Sequence, residues 1–409
     1  MAAVDFDPGI LQQAIDSSPD EVWDVAIVGA GPAGSIAACR LASNGHRVLL
    51  LDKAGFPRDK TCGDALIPDS IQVLERSGIL SEVRSLGHRV TSASVFSPSQ
   101  IEVPIAGEYL TIKRRILDAV IARHAVRLGA NFGCETVRQV DVDARGIVHL
   151  LTARPGVTHR ARFAILATGA NVELLKQAGM IKRAQPSALA LRCYMRSPVE
   201  IDRLIISYDR SITPGYGWIF PLGGGEFNVG CGVFYRKTRH KKANLREMFH
   251  RFLANFPLGQ ELLQTATSQT ELRGAPLRCN LTGARVLTQN SVVAVGESIG
   301  ATFPLTGEGI GKAMETAELA AAAIHSALAT GSTRKLTELP WRVRTELLPR
   351  YIGYEIGERW LSYPKLNDLI AWRAQRSPFL QKLLRGIISE AVDPRRLFSI
   401  GGLLKSLWR

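Results

Sequence analysis

The sequence predicts an α/β fold: a parallel-sheet domain interleaved with an antiparallel-sheet domain and followed by a helical segment. Three observations carry that expectation. Val22 to Asp52 reads as strand, Gly29-Ala30-Gly31-Pro32-Ala33-Gly34, helix, strand and acid. From Val292 to about Ala329 the order of strand, Gly-rich loop and helix recurs. Between them, residues 186–235 hold four strand-like stretches separated by Gly- and Pro-rich turns, the pattern of antiparallel sheet.

In the first unit each part has a physical task. Gly29 permits a tight turn, Gly31 lets the backbone approach a pyrophosphate, and Gly34 lets helix and strand pack closely. The helix N-terminus offers free N–H groups to phosphate, and Asp52 stands where a carboxylate holds a ribose hydroxyl. Gly-x-Gly-x-x-Gly alone is weak; in this strand–helix–strand–acid setting it predicts a Rossmann-like, dinucleotide-binding domain.

The chain then runs as follows. Residues 1–21 read as a loosely docked leader. Gly55 to Pro68 is a polar loop holding Arg58-Asp59-Lys60-Thr61-Cys62-Gly63-Asp64, and loops so placed commonly carry function. Ile71 to Leu80 reads as helix and Val90 to Pro104 as strands. Thr111 to Leu128 is a helix with Thr111 as its cap and Arg114, Arg115 and Asp118 in its first turns. Residues 131–140 and 148–152 read as strands of a small sheet, and Phe163 to Ala167 as a buried strand ending in Thr168-Gly169. Arg273 to Leu277 reads as a turn leading back. The expected division is a leader, 1–21; a dinucleotide-binding domain in three pieces, 22–75, 105–180 and 270–330; a substrate-facing domain, 76–104 and 181–269; and a helical region, 335–409.

Composition narrows the class. Of 409 residues, 46% are hydrophobic and 22% charged, ordinary for a globular chain with a large core. The 6 cysteines form no C-x-x-C pair and the 8 histidines no close pair, so neither a disulfide scaffold nor a metal site is expected, and a reducing cytosol suits the chain. No apolar run reaches membrane-spanning length. A net charge of +14 fits an anionic surface or substrate as well as a simple arginine bias; with no nucleic-acid-binding motif present, nucleic acid is not an expected partner.

Three separated blocks, the fingerprint, Ala167-Thr168-Gly169 and Gly296-Glu297…Pro304-Leu305-Thr306-Gly307-Glu308-Gly309-Ile310-Gly311, together resemble FAD-dependent oxidoreductases of the para-hydroxybenzoate hydroxylase-like fold. Arg58 to Asp64 and Gly215-Tyr216-Gly217-Trp218-Ile219-Phe220-Pro221 resemble the signature blocks of the geranylgeranyl reductase family within it. The resemblance implies a Rossmann-like FAD-binding domain. In it Gly29, Gly31 and Gly34 cradle the pyrophosphate, Asp52 and its neighbour Lys53 lie at the adenosine ribose, and Arg115 reaches the pyrophosphate. Val137 lines the adenine. Cys62, Gly63 and Asp64 stand near the flavin ring, Thr168 and Gly169 border the cofactor, Glu297 holds its ribityl or pyrophosphate end, and Gly309 and Ile310 offer N–H groups to the ring. Glu297 departs from the commoner Gly-Asp-Ala-Ala. The Tyr216-to-Pro221 stretch also resembles the Trp-x-Trp-x-Ile-Pro block of flavin-dependent halogenases, from which Tyr216 and Phe220 depart.

On alternate positions of one strand, Tyr216, Trp218 and Phe220 share a face, either as a core stripe or as the apolar wall of a substrate pocket. Cys62 is either an inert buried thiol or a catalytic group beside the cofactor. The resemblance implies reduction of C=C bonds in an isoprenoid substrate, with NAD(P)H as transient reductant. A monooxygenase acting on an aromatic or prenylated small molecule is the alternative, and a flavoprotein redox partner without its own substrate a third. The basic, Leu- and Trp-bearing C-terminus, Leu403 to Arg409, is a candidate for peripheral membrane contact.

Overall fold

The computed structural model describes residues 11–15, 18, 21–235, 244–281, 287–399 and 401–402. Two sheets and a set of C-terminal helices make up a mixed α/β fold. Five strands of the first sheet run parallel in the order Val292–Ala294, Thr158–Leu166, Val22–Val28, Val48–Asp52, Asn131–Cys134. Both faces are covered, which is why Val48–Asp52 is apolar and buried along its length up to its terminal acid. On one face lie the helices Pro32–Ser43 and Ile310–Thr330, and Ala37, Ala38, Ala317, Ala320 and Ala321 let them approach closely. The other face packs on the hairpin Val137–Val142/Val148–Thr152, through Val140, Val148 and Leu150.

In order, the second sheet runs Ser268–Gln269, Ala188–Arg196, Glu226–Phe234, Tyr216–Gly223, Leu204–Ser207, His88–Phe96, Glu102–Thr111, Ala65–Leu66. Its outer face is sealed by the helices Leu245–Asn255 and Pro257–Thr265, whose Phe249, Phe252 and Leu253 meet Ile219, Val229 and Cys231. Its inner face looks toward the first sheet.

Several local expectations change. Arg273–Leu277 is a strand, paired antiparallel with Ala188–Arg192, and not a turn; its partner supplies the hydrogen bonds that an alternation too weak to read in sequence does not announce. Thr111 closes a strand instead of capping a helix, and its hydroxyl donates to the Pro221 carbonyl; the helix begins at Arg114. Residues 131–134 belong to the parallel strands, while 137–142 start a hairpin whose second strand, Val148–Thr152, pairs antiparallel with Thr158–Leu166 of the same sheet. Of the leader, residues 11–15 lie against the parallel sheet: Leu11 is buried, its carbonyl accepts from Phe56 N–H at 3.0 Å, and the Gln13 carbonyl accepts from Cys134 N–H at 2.8 Å.

After Gly331 the chain forms the helices Arg334–Glu346, Leu348–Leu361, Pro364–Arg376 and Pro378–Ile388. Pro349, Pro364 and Pro378 stand in first turns, where the missing N–H costs no hydrogen bond, whereas Pro340 lies within its helix. Phe303, Tyr351, Tyr354, Leu380 and Phe398 tie these helices to the rest. Leu403 to Arg409 lie outside the described residues.

Candidate active site

A cavity of about 1100 Å³ lies between the two sheets and runs on beneath the C-terminal helices. It exceeds the usual range for a single small ligand, roughly 300–1,000 Å³. Its first wall is the loop Gly29–Gly34. Gly29 has φ +103°, and a Cβ there would strike the Ala167 carbonyl; one on Gly34 would strike the Gly29 carbonyl. Gly31 differs. A Cβ there would meet only an Arg58 nitrogen at 3.8 Å and would otherwise enter the cavity. The helix Pro32–Ser43 begins here without a side-chain cap or first-turn acid, so its first-turn N–H groups are left for an anion.

Asp52 accepts from Ala30 N–H at 2.8 Å and Ala54 N–H at 3.1 Å, which fixes the carboxylate at the strand's end. Arg58 bridges it to Asp118, 3.3 Å from each. Asp118 is fully buried and takes a two-point contact from Arg114, at 2.6 and 2.9 Å. The cavity thus receives Arg58 and Arg114. Arg115, the expected phosphate ligand, is exposed and does not line it. The reason is helical phase: Arg114 and Asp118 are four residues apart on one face, and one residue further turns the side chain by about 100°. The i,i+4 spacing was the available signal.

Asp64 has φ 64° and is wholly buried. It accepts from Tyr194 OH at 2.7 Å, Asn228 Nδ2 at 2.8 Å and Arg114 N–H at 3.1 Å. Asn228 also donates to the Cys62 carbonyl at 2.8 Å and accepts from Trp218 Nε1 at 2.9 Å. These bonds pin the Cys62–Asp64 loop to the antiparallel sheet. Burial pushes the Asp64 carboxyl up to about 6, against the pull of its three donors. Burial also raises the Cys62 thiol, more than the neighbouring Arg114 guanidinium lowers it. Cys62 is therefore a thiol at neutral pH, not a thiolate.

The rings of Tyr216, Trp218 and Phe220 follow one another along the cavity, with centroids 5.9 and 6.3 Å apart. At one end Phe220 is 3.2 Å from where a Gly63 Cβ would stand. At the other, Tyr216 OH donates to the Thr306 carbonyl at 2.7 Å. The aromatic strand thus spans the two loops, 62–64 and 306–309, that frame the cavity's middle.

Lys53, Val137, Thr168, Gly169, Glu297, Gly309 and Ile310 also line it; Gly34 lies just behind the wall. Glu297 Oε1 accepts from Arg278 N–H at 3.4 Å, and the helix Ile310–Thr330 presents its uncapped first turn. Two helix N-termini, a glycine opening and an anchored acid converge on one space, which fits a dinucleotide.

Sequence reasoning missed the far arm of the cavity. Val95, Val103, Ile105 and Ile206 of the antiparallel sheet face Ile370, Ala371, Leu384 and Ile387 of the C-terminal helices across it. No spacing in the chain announces that long-range pairing. Near this arm Asp69, Glu315 and Glu390 converge, but the Lys312 ammonium sits among them, 2.7 Å from both glutamates and 3.7 Å from Asp69.

Comparison with known proteins agrees with this geometry. Residues 22–338 match the family described as FAD binding domain. The chain is 32% identical to a menaquinone reductase of Mycobacterium tuberculosis, over 95% of this chain and 98% of that protein. It is 27% identical to a digeranylgeranylglycerophospholipid reductase of Methanoculleus marisnigri, over 94% and 99% of the two chains. Among solved structures, a geranylgeranyl bacteriochlorophyll reductase-like protein of Thermoplasma acidophilum matches with TM-score 0.76 and 21% identity, over 95% of this chain and 96% of that one. The flavin-dependent brominase Bmp2 matches with the same TM-score, 0.76, at 17% identity, over 95% and 98%, a likeness of fold.

Proposed function

The chain belongs to the FAD-binding domain family and is an FAD-dependent oxidoreductase of the geranylgeranyl reductase-like group, and from that premise we propose that it reduces C=C bonds in an isoprenoid chain, with NAD(P)H as the electron source. The observation that carries this reading is the continuity of the cavity. Its dinucleotide end passes along Tyr216, Trp218 and Phe220 into an arm walled by aliphatic side chains. A long apolar chain suits that arm, and a polar aromatic metabolite would leave much of it unfilled. The two relatives' names point the same way, since menaquinone and digeranylgeranylglycerophospholipid both carry polyprenyl chains.

Bound FAD supplies the hydride equivalent. The protein's share is to hold the alkene still over it and to keep water out. Gly29, Gly31, Asp52, Arg58, Glu297, Gly309 and Ile310 are the proposed cofactor ligands, with Gly34 letting the helix pack close behind them; the aromatic strand positions substrate. Asp64 holds the loop that carries Cys62.

The test is an anaerobic single turnover. Reduced holoenzyme mixed with a polyprenyl quinone or lipid should be reoxidised and yield a product two hydrogens heavier per bond reduced. Incorporation of ¹⁸O from labelled oxygen into product would replace the reductase reading by the monooxygenase one.

The substrate's solubility suggests where the protein works. No described helix is long and apolar enough to cross a membrane. The helix Pro364–Arg376 lines the cavity with Asn367, Ile370 and Ala371 and exposes Lys365, Leu369, Trp372 and Arg376 on the opposite face. Exposed Tyr363 and Phe379 flank that stripe, and the Arg376 guanidinium lies 4.8 Å from the Trp372 ring centroid. Basic groups around protruding apolar ones suit an anionic lipid surface, and we infer that this face rests on one.

A further inference from the structure

Reducing an alkene takes a hydride equivalent at one carbon and a proton at the other. The cofactor accounts for the first and leaves the second to the protein. Several acids reach the cavity, and most are otherwise engaged. Asp64 is held by three donors and is ionised at neutral pH. Glu297 lies at the dinucleotide end, beside Gly169. Cys62 keeps its proton too firmly to give it up readily.

Glu308 is different. It stands in the loop that Tyr216 braces, one residue before the Gly309 cap of the long helix, and lines the cavity. Tyr109, Tyr208, Tyr216 and Tyr354 line the same space and lie close enough to feel a charge on Glu308. The Tyr109 hydroxyl is buried and has no hydrogen-bond partner among the described residues. The charged groups around Glu308 are Asp69 and Glu390, which disfavour its ionisation, and Lys312, which favours it but is already bound to Glu315 and Glu390 at 2.7 Å. The Thr306 hydroxyl, which accepts from Glu308 N–H at 3.4 Å, favours the ionised carboxyl but less than burial opposes it. Burial with these like charges pushes the carboxyl up to about 8, so it holds a proton at neutral pH.

We propose that Glu308 is the proton donor of the reaction, acting at the end of the aromatic strand remote from Cys62. The inference rests on the reductase reading above. In the step, the alkene π pair takes the carboxyl proton to form one C–H bond, and the hydride equivalent from the reduced cofactor forms the other with its two electrons. The Glu308 carboxylate then regains a proton from solvent by way of the tyrosine-lined space.

Two measurements test it. Infrared difference titration of the protein should show a protonated carboxyl band lost with a midpoint near 8, and absent in Glu308→Gln. In anaerobic single turnover Glu308→Gln should slow prenyl reduction at least about 100-fold, within the range for a lost general acid. FAD content and chemical reduction of the flavin should not change, and Glu308→Asp should recover part of the rate. The wild-type rate should fall as pH rises through about 8, and this limb should vanish in Glu308→Gln. A wild-type rate in Glu308→Gln, or no protonated band at pH 7, overturns the assignment and leaves the reductase reading standing. No turnover by wild-type protein on any prenyl substrate overturns both.

Discussion

The Tyr216 hydroxyl donates to the Thr306 carbonyl at 2.7 Å, and this one bond joins the aromatic strand of the second sheet to the loop that starts the long helix of the first. Tyr216→Phe keeps the ring and removes the brace. The expected loss of stability is about 1 kcal/mol, the usual net worth of such a bond. FAD should remain bound while prenyl turnover falls, because loop 306–309 is held less firmly. Thermal unfolding and flavin content measured on the same sample check this; loss of flavin would place the bond's role in cofactor binding instead.

Gly31 and Gly34 should fail differently. The space beside Gly31 is cavity, whereas a Cβ at Gly34 meets backbone. Gly31→Val should fold with a near wild-type melting temperature and purify without flavin. Gly34→Val should be recovered poorly, or unfold early, with or without added FAD. Full flavin retention by Gly31→Val would refute the assignment of that opening to the dinucleotide.

Arg114 and Arg115 are adjacent in sequence and should be far apart in effect. Removing Arg114 takes away the two-point contact of the buried Asp118 and leaves it only Arg58 at 3.3 Å, and breaking a buried pair typically costs about 3–5 kcal/mol. Arg115→Ala should lie within about 0.5 kcal/mol of wild type, as exposed substitutions do. Denaturant midpoints of Arg114→Ala and Arg115→Ala give the comparison directly.

Asp64 makes a pH-dependent contribution whose sign follows from its raised carboxyl. The folded state holds this proton more tightly than the unfolded chain, so stability from this group is present at low pH and declines as pH rises from about 4 to about 6. A rise of about two pKa units corresponds to roughly 3 kcal/mol. Asp64→Asn should flatten that limb in urea unfolding of the flavin-free protein. An unchanged limb would show that the carboxyl does not titrate there.

Lipid contact should depend on the outward stripe of the helix Pro364–Arg376. Trp372→Ala and Arg376→Ser should each weaken co-sedimentation with anionic vesicles, the second more at low than at high salt. Neither should alter FAD content. Binding that survives both changes would move the contact elsewhere on the surface.

What was legible in the sequence was local. Gly29, Gly31 and Asp52 reach the cavity because their fingerprint encodes a turn, an approach and a strand end within about thirty residues. Tyr216, Trp218 and Phe220 share its wall because strand alternation is short-range. Arg114 lines the cavity and Arg115 does not, which the sequence leaves open because it depends on where the helix begins, and strand pairing by Thr111 delays that start. The bridge from Arg58 to Asp118 and the roof formed by Ile370 and Ile387 depend on residues far apart in the chain. Glu308 lies within the Gly296-to-Gly311 stretch, but its raised carboxyl depends on burial and on Asp69 and Glu390, which are remote in sequence.

The way the strands alternate between the sheets has a consequence for synthesis. The chain lays down Val22–Asp52 in the first sheet, Ala65–Thr111 in the second, Asn131–Leu166 in the first, Ala188–Leu277 in the second, and returns with Val292–Ala294. The central strand Val22–Val28 gains one neighbour early but waits for Thr158–Leu166 to gain the other. As the polypeptide leaves the ribosome, neither sheet can close until nearly three hundred residues have emerged. The nascent chain therefore carries unpaired apolar edges for most of its translation, and truncation at any point before the last parallel strand should leave an aggregating fragment instead of a smaller folded protein.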